Sequence, residues 1–200
     1  MTRVARCLSA GGFCLLLLSC SEGPGTIPQG GVHFTTGSSA SVPSGKSCPT
    51  PGYTVAIGEP APDMFNDDPG KTLPDGVRDT SVSCTVKGRD NVTFSASIRG
   101  RNTSDNLPAE LRLTGGTIGP DGTGTANVSL VTPINASAVG NIALQSETPC
   151  TITGVSNGDG DQFGDGVLWA RFTCSAMTSS RQPSAFCRTE GVVVFKNCDH

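Results

Sequence analysis

Charged and aromatic side chains are both scarce in this chain of 200 residues. Asp, Glu, Lys and Arg make up 16%, aromatics 5%, and the formal charge is −3. A protein that grips a nucleic-acid backbone needs a dense basic face, and none is present, so nucleic acid is excluded as a partner. Only two histidines occur, His33 and His200. A Ser–His–Asp or Cys–His relay needs a positioned imidazole, and neither a Gly/Ser-rich stretch nor the last residue promises one. No CxxC pair is available to begin a zinc site. No glycine-rich loop fits the phosphate-cradling or dinucleotide patterns. After residue 18 no apolar run approaches the roughly 20 residues that a membrane-spanning helix needs.

What is present begins with an address. Arg3 and Arg6 precede an apolar stretch over residues 8–18, and the small Ser19 follows, which is the layout of a secretory signal. The run does not end in an A-x-A-like site. Instead Leu17, Leu18, Ser19 and Cys20 resemble a bacterial lipobox. The resemblance implies that residues 1–19 are removed and that Cys20, acylated on sulfur, becomes the N-terminus. Each buried methylene contributes about 0.8 kcal/mol, and two or more chains give a stable membrane anchor. Ser21 follows where Asp would signal retention, so similarity to enterobacterial sorting implies the outer membrane, on its periplasmic or its surface side. Without Arg3 and Arg6 the chain carries 12 Lys and Arg against 17 Asp and Glu, a net charge of −5.

Cysteine usage agrees with export. Of nine cysteines, Cys7 and Cys14 leave with the signal and Cys20 takes lipid, so six remain. An even remainder in an oxidising compartment predicts three disulfides, although sequence alone leaves every pairing open. Short loops favour Cys48–Cys84, Cys150–Cys174 and Cys187–Cys198.

Residues 21–47 contain 18 Gly, Ser, Thr or Pro among 27. That composition predicts a flexible tether over residues 20–47, with the folded domain at 48–200. In the domain, strand signals alternate with turn residues. Val92, Phe94, Ala96 and Ile98 would share one face, with Thr93, Ser95 and Ser97 in water. Residues 82–86, 111–113, 126–130, 142–144, 150–152, 167–174 and 192–195 give further candidates, separated by Gly/Asp/Asn clusters. Many short strands with regular turn punctuation predict an all-β, disulfide-braced antiparallel β-sandwich, Ig-like or jelly-roll-like.

Four candidate sites stand out. Asp159, Asp161 and Asp165 lie in a Gly/Asp-rich loop at residues 157–166 and could offer hard oxygens to calcium. The loop nevertheless fails the EF-hand template, with Gln162 where the turning glycine belongs and Leu168 where the bidentate Glu belongs. Trp169 falls on the strand face opposite Leu168, Ala170 and Phe172, as either an exposed ring for stacking a sugar or a second core contact. Asp63, Asp67, Asp68 and Asp75 could supply the paired carboxylates of a hydrolase; a solvated loop is the simpler reading. Four Asn-x-Ser/Thr triplets, at Asn91, Asn102, Asn127 and Asn135, reflect strand and loop composition.

The lipobox, the segment 81–86, Pro149-Cys150-Thr151, the segment 169–174 and the segment 193–198 together resemble small cysteine-containing lipoproteins encoded in myxobacterial genomes. The resemblance implies a secreted, anchored β domain and carries over no catalytic residue. The expected role is a non-catalytic structural or binding module of the cell envelope. A carbohydrate- or calcium-dependent adhesion module and a carboxylate hydrolase are the alternatives, and a glycan or an envelope protein is the expected partner.

Overall fold

The computed structural model describes residues 26–38, 42–60, 70–133, 140–157, 160–161 and 163–200. Cys20 therefore lies outside the described residues. The fold is all-β and antiparallel, as the alternation predicts.

The longest strands follow the pattern closely. In β6 (Ser81–Lys87) and β7 (Val92–Arg101), Val82, Cys84, Val86, Val92, Phe94, Ala96 and Ile98 are buried while their neighbours face water or are half-buried. β8 (Pro108–Ile118) and β9 (Thr123–Pro133) extend the same meander. A bulge at Gly115–Gly116 bends β8, and Gly116 lies directly under the Phe94 ring, where an added Cβ would come within 2.3 Å of ring carbon. β10 (Asn141–Ser146) and β11 (Cys150–Gly154) run in the same direction, both between β9 and β15 (Val167–Thr178), and so act as one interrupted strand. β12 (Ser156–Asn157) pairs with β13 (Gly160–Asp161), and β14 (Phe163–Gly164) leads into β15. β16 (Phe186–Lys196) pairs with β15 along its length.

The N-terminal segment corrects the expected domain boundary. Residues 29–37, placed by composition in the tether, form β1 (Gln29–Gly37), which pairs with β16 on one side and β2 (Thr54–Ile57) on the other. Val32, Phe34 and Thr36 alternate inward and are fully buried, a period-2 signal that the surrounding Gly, Ser and Thr obscure. β3 (Glu59–Pro60), β4 (Gly70–Lys71) and β5 (Leu73–Pro74) follow, and β5 returns to pair with the start of β1. A short 3₁₀ turn at Val77–Asp79 then leads into β6.

The resulting 12-stranded sheet runs β2-β1-β16-β15-β10-β9-β8-β7-β6, with β11, β14 and β5 attached beside this path. Sequential strands are mostly neighbours, so the order is a meander, where Ig-like and jelly-roll sandwiches use Greek-key crossovers. The sheet rolls until its two ends pack face to face in a sandwich-like core. At Gly30 of β1, an added Cβ would sit 3.1 Å from Ile98 of β7 and 3.2 Å from Val82 of β6. Fully burying one such Ile or Val side chain is worth about 1.5–3 kcal/mol.

The roll also corrects two disulfides. The bridges are Cys48–Cys187, Cys84–Cys198 and Cys150–Cys174. Cys48–Cys84 and Cys187–Cys198 do not form, because pairing by shortest loop ignores the meeting of the chain's two ends. β1 lies against β16, so Cys48, soon after β1, reaches the start of β16. Ser47 and Ala185 form a bridge beside it. Cys198, just past β16, reaches the free edge of β6. Cys150–Cys174 joins β11 to β15, which already pair from Thr151 to Thr173 onward.

Candidate binding cleft at the sheet seam

The roll does not close by a continuous ladder. β2 ends one edge and β6 the other, and the chain fills the seam between them with short segments and side-chain bonds. Asn102, at the end of β7, carries much of this closure. It is 1% exposed, its Oδ1 accepts from the Ala56 amide at 2.9 Å, and its Nδ2 donates to the Thr54 carbonyl at 3.1 Å and to the Tyr53 hydroxyl at 3.2 Å. The next amide, Thr103, donates to the Ala56 carbonyl at 2.8 Å. The asparagine of the Asn-x-Ser/Thr triplet at this position is thus a buried clasp on the β2 edge.

Tyr53 extends the clasp by donating to Asp105. Loss of hydration, followed by that hydrogen bond to a carboxylate, pushes the Tyr53 phenol up from 10.0 to about 12. A group that keeps its proton more tightly when folded contributes stability that is complete below its unfolded pKa. That contribution disappears as pH rises through the folded value. Tyr53 is the single tyrosine of the chain, so absorbance at alkaline pH reports it alone. The phenolate should appear near pH 12 in the folded protein and near 10 after denaturation. A folded midpoint at 10 would contradict the clasp.

Beside the clasp, the seam leaves a cleft of about 790 Å³. That lies within the range of sites that enclose small molecules. One wall is Gly58 and Glu59, with Gly70 to Leu73 facing them; the 3₁₀ turn and Thr80 form a second, and Arg101 to Thr103 with Asn106 a third. Leu73 and Val77 give an apolar strip, and Val77 is 41% exposed. The charged groups are Lys71, Arg78 and Arg101 against Glu59. Lys71 pairs with Glu59 at 3.0 Å. Arg101 pairs with Asp79 at 3.3 Å and donates to the Asn106 carbonyl at 3.1 Å. Both are solvent-exposed pairs, which contribute little to folding.

Backbone strain gathers at the same place. Arg78, Asp79 and Asn106 have φ of 52°, 58° and 59° without being glycine. Each such residue costs on the order of 1–3 kcal/mol and persists only where its surroundings fix it. Here the Thr80 amide donates to the Val77 carbonyl at 3.0 Å and the Gly76 amide to the Thr80 carbonyl at 2.8 Å, which hold the turn. The Thr80 hydroxyl oxygen is buried with no partner among the described residues.

The residues singled out from sequence lie elsewhere. Trp169 is 1% exposed and packs with Val155, Val192 and Val194 in a second small core on the outer face of β15 and β16. The stacking role is corrected: no ring face is presented to a sugar. Asp165 engages the Arg89 guanidinium, which raises the arginine's pKa further. A calcium ion would have to displace that cation. Asp159 and the Asp161 side chain lie outside the described residues, as do Asp63, Asp67 and Asp68. Asp75 accepts from the Val82 amide at 2.8 Å and covers the β6 edge. The described residues show no group of three His, Cys, Asp or Glu able to hold a metal. No family model, curated protein or solved structure matches the chain.

Sequence reading missed the cleft because its parts are ordinary taken singly. Lys71, Arg78 and Arg101 are far apart in sequence and belong to no spaced motif. The available hint was Gly76-Val77-Arg78-Asp79, a polar turn that closes onto a strand.

Proposed function

We propose that the chain is a lipid-anchored protein of a bacterial envelope, of the kind the myxobacterial lipoproteins represent. Its disulfide-braced β domain acts there as a non-catalytic binding module, with the seam cleft as the binding site. The observation that carries this is the complete pairing of the six cysteines downstream of Cys20. Stable structural disulfides of this number belong to oxidising compartments outside the cytosol, where a leader ending at Ser19, just before Cys20, would deliver the chain. The cleft supports binding over catalysis. It presents cations, amides and hydroxyls, while its one carboxylate among the described residues, Glu59, is held by Lys71.

The position of β1 shortens the stretch left to act as a tether. Residues 21–28 are all that separate Cys20 from the sheet. Fully extended, eight residues reach no more than about 28 Å, so the domain rides close to the bilayer.

The anchor is tested by expressing the chain with its own leader in a Gram-negative host and measuring the mass of the N-terminal peptide. The expected result is a peptide beginning at Cys20 with a diacylglyceryl thioether, and a Cys20→Ala variant that leaves the membrane fraction. An unmodified, cytosolic wild-type chain with titratable thiols would overturn the proposal.

A further inference from the structure

We infer that the seam cleft takes a small organic molecule bearing one carboxylate. This deepens the reading of the domain as a binding module and is independent of the lipid anchor. Charge balance supplies the first reason. Lys71 is matched by Glu59 and Arg101 by Asp79, whereas Arg78 has no carboxylate or hydrogen-bond partner among the described residues. One uncompensated cation calls for one negative charge, and a guanidinium matches a carboxylate with two parallel hydrogen bonds. A dianion such as phosphate would leave a charge unmatched.

The second reason is the Thr80 hydroxyl. Thr80 lines the cleft, is 3% exposed, and its Oγ1 has no hydrogen-bond partner among the described residues. A buried unpartnered polar atom is destabilising unless something else satisfies it. Turned towards the cleft by rotation about the Cα–Cβ bond, the hydroxyl would be satisfied by a hydroxyl or carboxylate oxygen of a bound molecule. The third reason is that Arg78 lies in, and Thr80 directly follows, a turn held in left-handed conformation, with φ of 52° at Arg78 and 58° at Asp79. Rigid placement lowers the ordering cost of binding. Leu73 and Val77 add an apolar surface for the carbon skeleton. A sugar acid and an N-acylated amino acid both meet these requirements, and they differ in what they offer beyond the carboxylate.

The test uses the full chain in detergent micelles and titration calorimetry with D-glucuronate, D-glucose, N-acetylalanine and inorganic phosphate. Saturable binding of glucuronate or N-acetylalanine, with glucose and phosphate at least tenfold weaker, is expected. Whichever carboxylate binds tighter identifies the source. Arg78→Asn, which keeps a residue tolerant of the left-handed turn, should weaken the bound carboxylate about tenfold or more. Arg89→Gln, in a surface pair away from the cleft, should leave it unchanged. The inference fails if neither carboxylate binds, if glucose or phosphate binds as well, or if Arg78→Asn has no effect or Arg89→Gln an equal one. An unacylated chain that still binds glucuronate would refute the anchor and leave the cleft standing.

Discussion

Loss of the Cys84–Cys198 bridge, in the double variant Cys84→Ser, Cys198→Ser, is expected to lower stability by about 2–5 kcal/mol and to make the protein aggregate on partial unfolding. Two effects combine. The bridge closes a sequence separation of 114 residues, whereas Cys150–Cys174 closes 24. Chain entropy alone makes the longer closure worth about 1.4 kcal/mol more. The bridge also pins the C-terminal residues against an otherwise open strand. The Asp199 amide donates to the Cys84 carbonyl at 3.1 Å, the Val86 amide donates to the Asp199 carbonyl at 2.8 Å, and Gly166 donates to the Val86 carbonyl at 3.1 Å. Without that cover β6 presents free backbone groups to other chains, which is how exposed edges seed aggregation. Urea midpoints and light scattering of this variant, set against Cys150→Ser, Cys174→Ser, provide the comparison. An equal or larger loss in the second variant would show that the edge cover is unimportant. Thiol titration checks connectivity in the same samples. The first variant should expose no free thiol in the domain, whereas Cys48–Cys84 and Cys187–Cys198 pairing would leave Cys48 and Cys187 reactive.

The difference between what the sequence makes legible and what it hides is a difference of range. Val92, Phe94, Ala96 and Ile98 are readable because pleat and one-sided burial act on adjacent residues, and β7 buries these four side chains. The run Val192 to Phe195 is equally readable, since four consecutive apolar residues imply a strand covered on both faces. Val193 and Phe195 belong to the main core, Val192 and Val194 to the small outer one. β1 was hidden because composition outweighed a three-residue alternation, and because its burial depends on pairing with β16, more than 150 residues away in sequence. The disulfides and the cleft share that dependence. Nothing local to Cys48 or Arg78 records that the first strand meets the last, or that the sheet rolls far enough to bring Asn102 onto the edge of β2.

Trp169→Ala should cost about 3–5 kcal/mol, the usual range for truncating a fully buried aromatic, although the residue lies on the outward face of its strand. The ring is 1% exposed, sits opposite Val194 across β15 and β16, and packs with Val155, whose amide donates to the Trp169 carbonyl at 2.9 Å. Removing it leaves a hole that two strands fixed by the ladder on both sides cannot collapse to fill. The indole nitrogen adds a condition that separates this account from a functional role for the ring. Trp169 Nε1 is buried with no acceptor among the described residues, a desolvation penalty of about 1–3 kcal/mol. Phenylalanine would keep most of the apolar contact and remove the stranded donor. Trp169→Phe should therefore lie within about 1.5 kcal/mol of the wild type, as for other apolar replacements of similar shape, while Trp169→Ala falls far below it. Chemical denaturation followed by far-UV circular dichroism, which does not need the tryptophan as a probe, gives both values. Should the alanine variant prove nearly as stable as the wild type, the outer cluster would not be a packed core, and the burial of the only tryptophan would need another cause.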